Sequence, residues 1–459
     1  MQPARGSSQR CRSSVGAFPP KCLGRLLHSV RGRTRSDDFN KFKDADGQFR
    51  SSLGSNVKGL LSLYDAAYVG THADAVLEEA ITFCKHQLQH KMDHLESHLA
   101  VEVARALETP LIRRMRRLEA SKFITFYEAL NEAQNDLILE LAKLDFSVLQ
   151  SLHQDEIRNL SVWWKELGLI QSLNFARDRM VECYFWILGV YYEPCFSHAR
   201  RMMTKVIALL SVLDDIYDSY GTLEELELLT NAIQRWDINS VGNLPQYIKV
   251  YLVALMDTYK EFEDELVGEG RSYHVHYLKE ELKMVSLAYF EEAKWRNEGY
   301  IPTLEEHLRV SLISCGYNIL TCASFLGMGH LATKETFDWL KHFPKIVKAS
   351  TIICRLMSDI VAYEFEEKRH HIASTVQSYV KEYGVSNEKA CQRLKDMIND
   401  AWKVMNEECL RPTIIPLQLL MSSFNLSRVM ETYYKYSDGY TESSSATKDL
   451  ISLLLMECI

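Results

Sequence analysis

The sequence predicts an all-α fold, and three observations carry that expectation. Apolar residues recur at steps of three and four, helix-start signals stand ahead of such runs, and no stretch alternates with period two between Asn-Gly or Asp-Gly turns. Only seven prolines follow residue 36, so little interrupts long helices.

Taken in order, residues 1–37 stand apart. The first 36 hold seven Arg, one Lys, three of the ten prolines and no acid. An opening rich in Arg and Ser fits a transit peptide and a plastid address. An inert, disordered start fits better, because no clear amphipathic helix with a cleavage site stands out, and it would leave the protein in the cytoplasm. Thr109-Pro110 reads as an N-cap followed by proline in the first helical position. Phe126, Leu130, Ala133, Leu137, Leu141, Leu144, Val148 and Leu152 form one apolar stripe, expected to be a continuous buried helix face. Where it ends, the aromatic segment SVWWKELGL begins. That change divides the chain into a partial amino-terminal helical domain (38–145) and a large helical bundle (146–459). Within the bundle, Thr222 with Glu225 and Thr303 with Glu306 each match the T-x-x-E capping box.

Composition narrows the function. Apolar residues make up 47% and charged residues 25%, an ordinary balance for a soluble globular chain. The formal charge of −8 leaves no basic surplus for neutralising nucleic-acid phosphates, so nucleic acid is not a general partner. No apolar run approaches the ~20 residues of a membrane helix. The eleven cysteines lack C-x-x-C or zinc spacing and read as buried thiols in a reducing compartment.

The chemistry is read from Asp214-Asp215-Ile216-Tyr217-Asp218, which closes the apolar run VIALLSVL. On an α-helix, Asp214 and Asp218 lie about one turn apart on one face, with Asp215 beside them. Carboxylates crowded on a greasy helix repel one another and cost desolvation energy. A cation must offset them, and hard oxygen ligands suit Mg²⁺ or Mn²⁺. Such an ion is held by one or two carboxylates, waters and substrate phosphates, so the reaction should involve a phosphate ester.

Four other clusters gain meaning beside such a site. In Arg355-Leu-Met-Ser358-Asp359-Ile-Val-Ala362-Tyr-Glu364-Phe-Glu366, positions 358, 362 and 366 share a stripe. Glu366 is a good ligand, Ser358 a weak one and Ala362 none; alone, the segment fits a solvated helix face better than a site. Arg177 and Arg179 flank Asp178; planar guanidiniums suit diphosphate, although a lone R-x-R is usually a surface ion pair. Trp186 and the cluster Tyr433, Tyr434, Tyr436, Asp438 and Tyr440 read either as core or as a cavity wall that stabilises a cation. Ser314-Cys315-Gly316 interrupts an apolar helix. The glycine either eases packing or kinks the helix and turns backbone carbonyls into a cavity.

In this order, the segments LNFARDRMVECYFW, VLDDIYDSYGTLEELELLTNAIQRWD, YFEEAKWRNEGYIPTLEEHL, ASTIICRLMSDIVAYEFEEKRHHIASTVQSYVKEYGVS and YKYSDGYT resemble plant class I terpene synthases of the sesquiterpene type. The likeness runs from about residue 38 to the end. It implies a helical bundle with Asp214 and Asp218 as Mg²⁺ ligands (Mn²⁺ as a substitute) and Asp215 behind them. It implies three ions, the last held by a motif N/D-D-x-x-S/T/G-x-x-x-E. Ser358 and Ala362 depart from that motif and weaken the third ion's site, leaving Ser358 and Glu366 as its ligands. Arg177, Arg179 and Arg355 match the family's diphosphate-binding arginines. Trp186, Tyr433, Asp438 and Tyr440 match pocket residues that handle carbocations and protons, with Ser314, Cys315 and Gly316 as substrate contacts. The implied reaction is ionisation and cyclisation of farnesyl diphosphate by a monomer without macromolecular partners; geranyl diphosphate is the alternative substrate. A chain-elongating prenyltransferase is disfavoured by Ser358. A truncated, inactive paralogue is favoured by Ser358, Ala362 and an amino-terminal domain about a hundred residues short of the family pattern.

Overall fold

A computed structural model describes residues 36–129, 135–237, 239, 244–366, 373–444, 446–457 and 459. The transit-peptide reading of the opening lies outside these residues, as does the side chain of Glu366. The expected all-α architecture is found: beyond one bridge between Lys43 and Phe49, the described residues hold no β-structure.

The helices run α1 (Ser36–Asn40), α2 (Val57–Ala67), α3 (Ala75–Lys91), α4 (Ser97–Glu108), α5 (Arg116–Glu128), α6 (Asp136–Glu166), α7 (Leu169–Ser172), α8 (Met180–Val190), α9 (Ser197–Asp215), α10 (Leu223–Arg235), α11 (Gln246–Val267), α12 (Tyr273–Glu298), α13 (Leu304–Ser314), α14 (Tyr317–Leu326), α15 (Lys334–Leu340), α16 (Lys345–Glu366), α17 (Thr375–Tyr383), α18 (Asn387–Glu408), α19 (Leu417–Tyr433) and α20 (Ala446–Leu455). Helices α1–α4 enclose a small apolar interior that includes Phe39, Leu60, Tyr64, Ala80, Cys84, Leu88 and Val103. A second, larger interior starts at Ile112 and runs to Leu455. The interior therefore changes between Ala106 and Ile112, while the residues on either side of 145/146 lie within the unbroken helix α6.

Two sequence expectations need correction. Thr109 does not cap a helix start. It ends α4 in an extended conformation, which the following proline favours, and Pro110 leads only a 3₁₀ turn, Leu111–Arg113. The apolar stripe from Phe126 to Leu152 is not one buried face either. The chain leaves α5 after Glu128, and Asn135 caps α6 by accepting a hydrogen bond from Ile138 N at 3.2 Å. Along α6, Leu137, Leu141, Leu144 and Val148 are exposed, and the buried side carries Ala142, Phe146, Leu149, His153, Leu160 and Trp164. Two apolar stripes share this helix, and packing against α8 and α20 selects the second. Both capping boxes form as the sequence indicates, at Thr222 with Glu225 and Thr303 with Glu306.

What positions the site is α9. It packs against α8 and α14 and is buried almost throughout from Met202 to Leu213. Helix α16 packs against α18 and α19 and carries Arg355, Ser358 and Asp359. The break at Cys315-Gly316 separates α13 from α14. Gly316 adopts φ 77°, and a Cβ there would lie 2.9 Å from Leu210 Cδ2, so glycine meets both a backbone and a packing demand. The helix break of the kink reading and the close packing of its alternative are thus both present at this glycine.

Candidate active site

The apolar run of α9 ends in charge. Its α-helical part stops at Asp215, and Ile216–Tyr220 continue as a π turn, closed by Gly221 N donating to Ile216 O at 2.9 Å. Asp218 therefore sits on a wider turn than a regular helix offers, a local irregularity common at functional sites. Asp214, Asp215 and Asp218 nevertheless all border one cavity of about 620 Å³.

The three aspartates differ in their engagement. Asp215 is buried, accepts a hydrogen bond from Arg177 N at 2.8 Å and pairs with the Arg177 guanidinium at 2.7 Å. Asp214, its side chain 41% exposed, receives Arg177 Nη2 at 3.0 Å. Enclosure pushes the Asp214 carboxyl up to about 7; Arg177 opposes the shift, and the Asp218 and Asp215 charges add to it. On Arg177 burial disfavours charge, but Asp214 and Asp215 outweigh it and hold its proton more tightly than usual. Arg177 also donates to Thr441 Oγ1 at 3.1 Å, and its guanidinium lies 5.6 Å from the Tyr440 ring centroid.

The second acidic segment behaves differently. Ser358, Asp359 and Ala362 border the same cavity. Asp359 accepts hydrogen bonds from Thr375 N at 2.8 Å and Thr375 Oγ1 at 2.5 Å, with Arg355 Nη1 at 3.4 Å and His307 Nε2 at 3.6 Å. Burial would raise its pKa, but Arg355, His307 and Thr375 hold it well below the usual carboxylate range. Arg355 also donates to Ser314 Oγ at 3.1 Å and Ser311 O at 3.3 Å. Ser314 and Cys315 line the cavity; Gly316 lies behind that lining.

The remaining sequence candidates divide into wall and support. Trp186, Tyr440 and Asp438 line the cavity. Asp438 Oδ1 accepts from Tyr440 N at 3.1 Å and Thr441 N at 2.8 Å, which folds the loop that presents Tyr440. Tyr433 lies outside the lining, stacked behind Trp186 with ring centroids 4.8 Å apart. Arg179 is also outside it; its guanidinium donates to Tyr440 O at 3.1 Å and Thr441 O at 2.7 Å.

Sequence reasoning missed two groups. Glu292 on α12 is a buried acid in the cavity wall that accepts a hydrogen bond from Ser314 Oγ at 2.7 Å. Burial raises its pKa, with Arg355 and Ser314 opposing. The spacing Val285, Tyr289, Glu292 marks it as lying on an apolar helix face, a signal available in the sequence. His307 also borders the cavity, buried, with neither ring nitrogen hydrogen-bonded among the described residues.

Comparison with known proteins now decides the identity. Residues 165–404 match the profile of the terpene synthase family, metal binding domain, and residues 25–107 that of the terpene synthase N-terminal domain. The chain is 52% identical to alpha-humulene synthase of Zingiber zerumbet over 97% of its length and 81% of that protein. It is 48% identical to (-)-germacrene D synthase of Vitis vinifera, over 94% of this chain and 78% of that one. The chain belongs to the terpene synthase family. Among solved structures, isoprene synthase of grey poplar, bound to three Mg²⁺ ions and dimethylallyl-S-thiolodiphosphate, superposes with a TM-score of 0.89 at 32% identity, over 95% of this chain and 83% of that one.

This terpene synthase has a donor set that fits a divalent metal. No three His, Cys, Asp or Glu side chains among the described residues form a closed ligand cluster. Asp214, Asp218 and Glu292 instead present separate hard oxygens to a common cavity, the arrangement in which waters and substrate phosphates complete the coordination of Mg²⁺-like ions. Among the described residues no helix is long and apolar enough to cross a membrane.

Proposed function

We propose that the chain is a sesquiterpene synthase that uses three Mg²⁺ ions to ionise farnesyl diphosphate, cyclise the resulting allylic cation and release diphosphate. The observation that carries this reading is that Asp214, Asp218, Arg177 and Arg355 border the same cavity as Trp186, Tyr289, Tyr317, Tyr434 and Tyr440. Bound metal would act as a Lewis acid on the leaving diphosphate. Arg177 and Arg355 would add hydrogen bonds to the charge that develops there, in an enclosed site where such donors act strongly. The aromatic faces would steady the cation through their quadrupoles, each by ~0.5–2 kcal/mol. Cavity shape would fold the isoprenoid chain and exclude water until a proton is lost.

Purified protein with Mg²⁺ and farnesyl diphosphate should yield a volatile hydrocarbon or alcohol by gas chromatography, with geranyl diphosphate run alongside. No volatile product from either substrate would sink the proposal. Added isopentenyl diphosphate should leave the product unchanged; a longer prenyl chain would instead mark an elongating prenyltransferase. If the protein makes no product but still binds Mg²⁺ with diphosphate, the inactive-paralogue reading stands.

A further inference from the structure

We propose that Arg296 is a positioning residue that fixes the π turn carrying Asp218, and thereby sets the metal affinity of the site; the proposal rests on the function proposed above. Arg296 stands near the end of α12, a helix that borders this turn. Its Nη1 donates to Tyr217 O at 2.9 Å and to Asp218 O, and Asp218 Oδ1 lies 3.6 Å away.

The turn has a specific need for such a partner. Where the π turn Ile216–Tyr220 ends at the extended Gly221, no further helical turn follows to supply amide donors to its later carbonyls. A guanidinium supplies several N–H groups in a fixed fork and places positive charge at the negative end of the helix. Other contacts hold the flanks. Tyr217 OH is 2.6 Å from Thr230 Oγ1, and the Tyr220 ring stacks on Phe175 with centroids 3.7 Å apart and planes 6° apart. Gly221 closes the exit: a Cβ there would lie 2.5 Å from Leu226 Cδ2. Of these contacts, only that of Arg296 grips the Asp218 peptide itself. A turn held this way presents the Asp218 carboxylate to the cavity before any ion arrives, so binding does not have to order it.

The test compares full-length wild type with Arg296→Ala, Arg296→Lys and Arg296→Gln. Mn²⁺ is titrated in the presence of inorganic diphosphate, and free Mn²⁺ is read by electron paramagnetic resonance. Arg296→Ala should weaken Mn²⁺ binding about ten- to a hundredfold, the range over which groups that orient a metal ligand act. Amide exchange over residues 217–221 should accelerate in the metal-free Ala variant, while its thermal midpoint stays near that of wild type. Arg296→Lys should recover more Mn²⁺ affinity than Arg296→Gln, and this pair carries the test if the Ala variant does not fold. Unchanged or tighter Mn²⁺ binding, unchanged exchange at the turn, or a loss of thermal stability without a change in Mn²⁺ affinity would each overturn the proposal. A wild type that binds Mn²⁺ with diphosphate but makes no volatile product would overturn the proposed function and leave this role of Arg296 standing.

Discussion

Two acid-bearing helices border one cavity and use their charge in opposite ways. At the end of α9, Asp214 remains partly open to the cavity, and its surroundings, with the Asp218 and Asp215 charges beside it, disfavour its charged form although Arg177 is near. On α16, Asp359 is surrounded by Arg355, Thr375 and His307, and its charge is matched from within the fold. The first arrangement asks for an external cation. The second holds an arginine in place. What separates a ligand from an anchor is thus the set of neighbours around each carboxylate, and two aspartates in similar helical sequences diverge on that ground.

Substitutions can break this comparison. The largest expected effect is on activity at α9: Asp214→Ala should lower kcat/KM for farnesyl diphosphate by at least about a hundredfold, as loss of a preorganised charge-stabilising group does. Its resistance to guanidinium chloride should barely change, because Asp215 still pairs with Arg177. A collapse in stability would show that α9 anchors rather than binds.

Asp359→Ala should reverse the pattern. Removing one partner of a buried ion pair costs about 3–5 kcal/mol, and denaturant unfolding would register it. The sign with pH follows from the depressed folded-state pKa of Asp359. Its contribution is present above the unfolded value of about 3.9 and is lost as pH falls through the lower folded value. The destabilisation caused by Asp359→Asn should therefore be full at neutral pH and shrink in strong acid. A constant difference between variant and wild type down to low pH would contradict the assigned environment.

A smaller effect is expected from Arg177→Ala. Charge-assisted hydrogen bonds contribute about 1.5–3 kcal/mol, so KM should rise roughly tenfold or more, and the protein should stay folded with a lowered thermal midpoint because buried Asp215 loses its partner. Unfolding at lower temperature with KM unchanged would favour a purely structural ion pair. The smallest effect sharpens the contrast from the α16 side. Ser358→Asn combined with Ala362→Ser should lower the Mg²⁺ concentration needed for half-maximal turnover, since both positions border the cavity. Unchanged metal dependence would mean that this face takes no part in metal binding.

Much of the fold was legible because the signals are local. Capping boxes at Thr222 and Thr303 involve residues three apart, and the break at Gly316 is a single-residue conformational demand. The aspartate cluster was legible for the same reason. Other features depend on what lies opposite. Helix α6 carries two apolar stripes, and the exposed one looks as buried in the sequence as the other. Arg177 and Thr441 meet across more than half the chain, and Arg179 reaches the carbonyls of Tyr440 and Thr441, so periodicity gives no hint that one arginine enters the cavity while its neighbour braces a loop. Glu292 was readable from its helix face; its partnership with Ser314 was not.

The indole of Trp186 offers a practical handle on this enzyme. It borders the cavity, 6% exposed, between the rings of Tyr433 and Tyr440, with a buried N–H that meets no hydrogen-bond acceptor among the described residues. Its emission should respond to whatever fills the space beside it, so comparing wild type with Trp186→Phe would isolate an intrinsic optical signal for occupancy, free of any label or coupled assay.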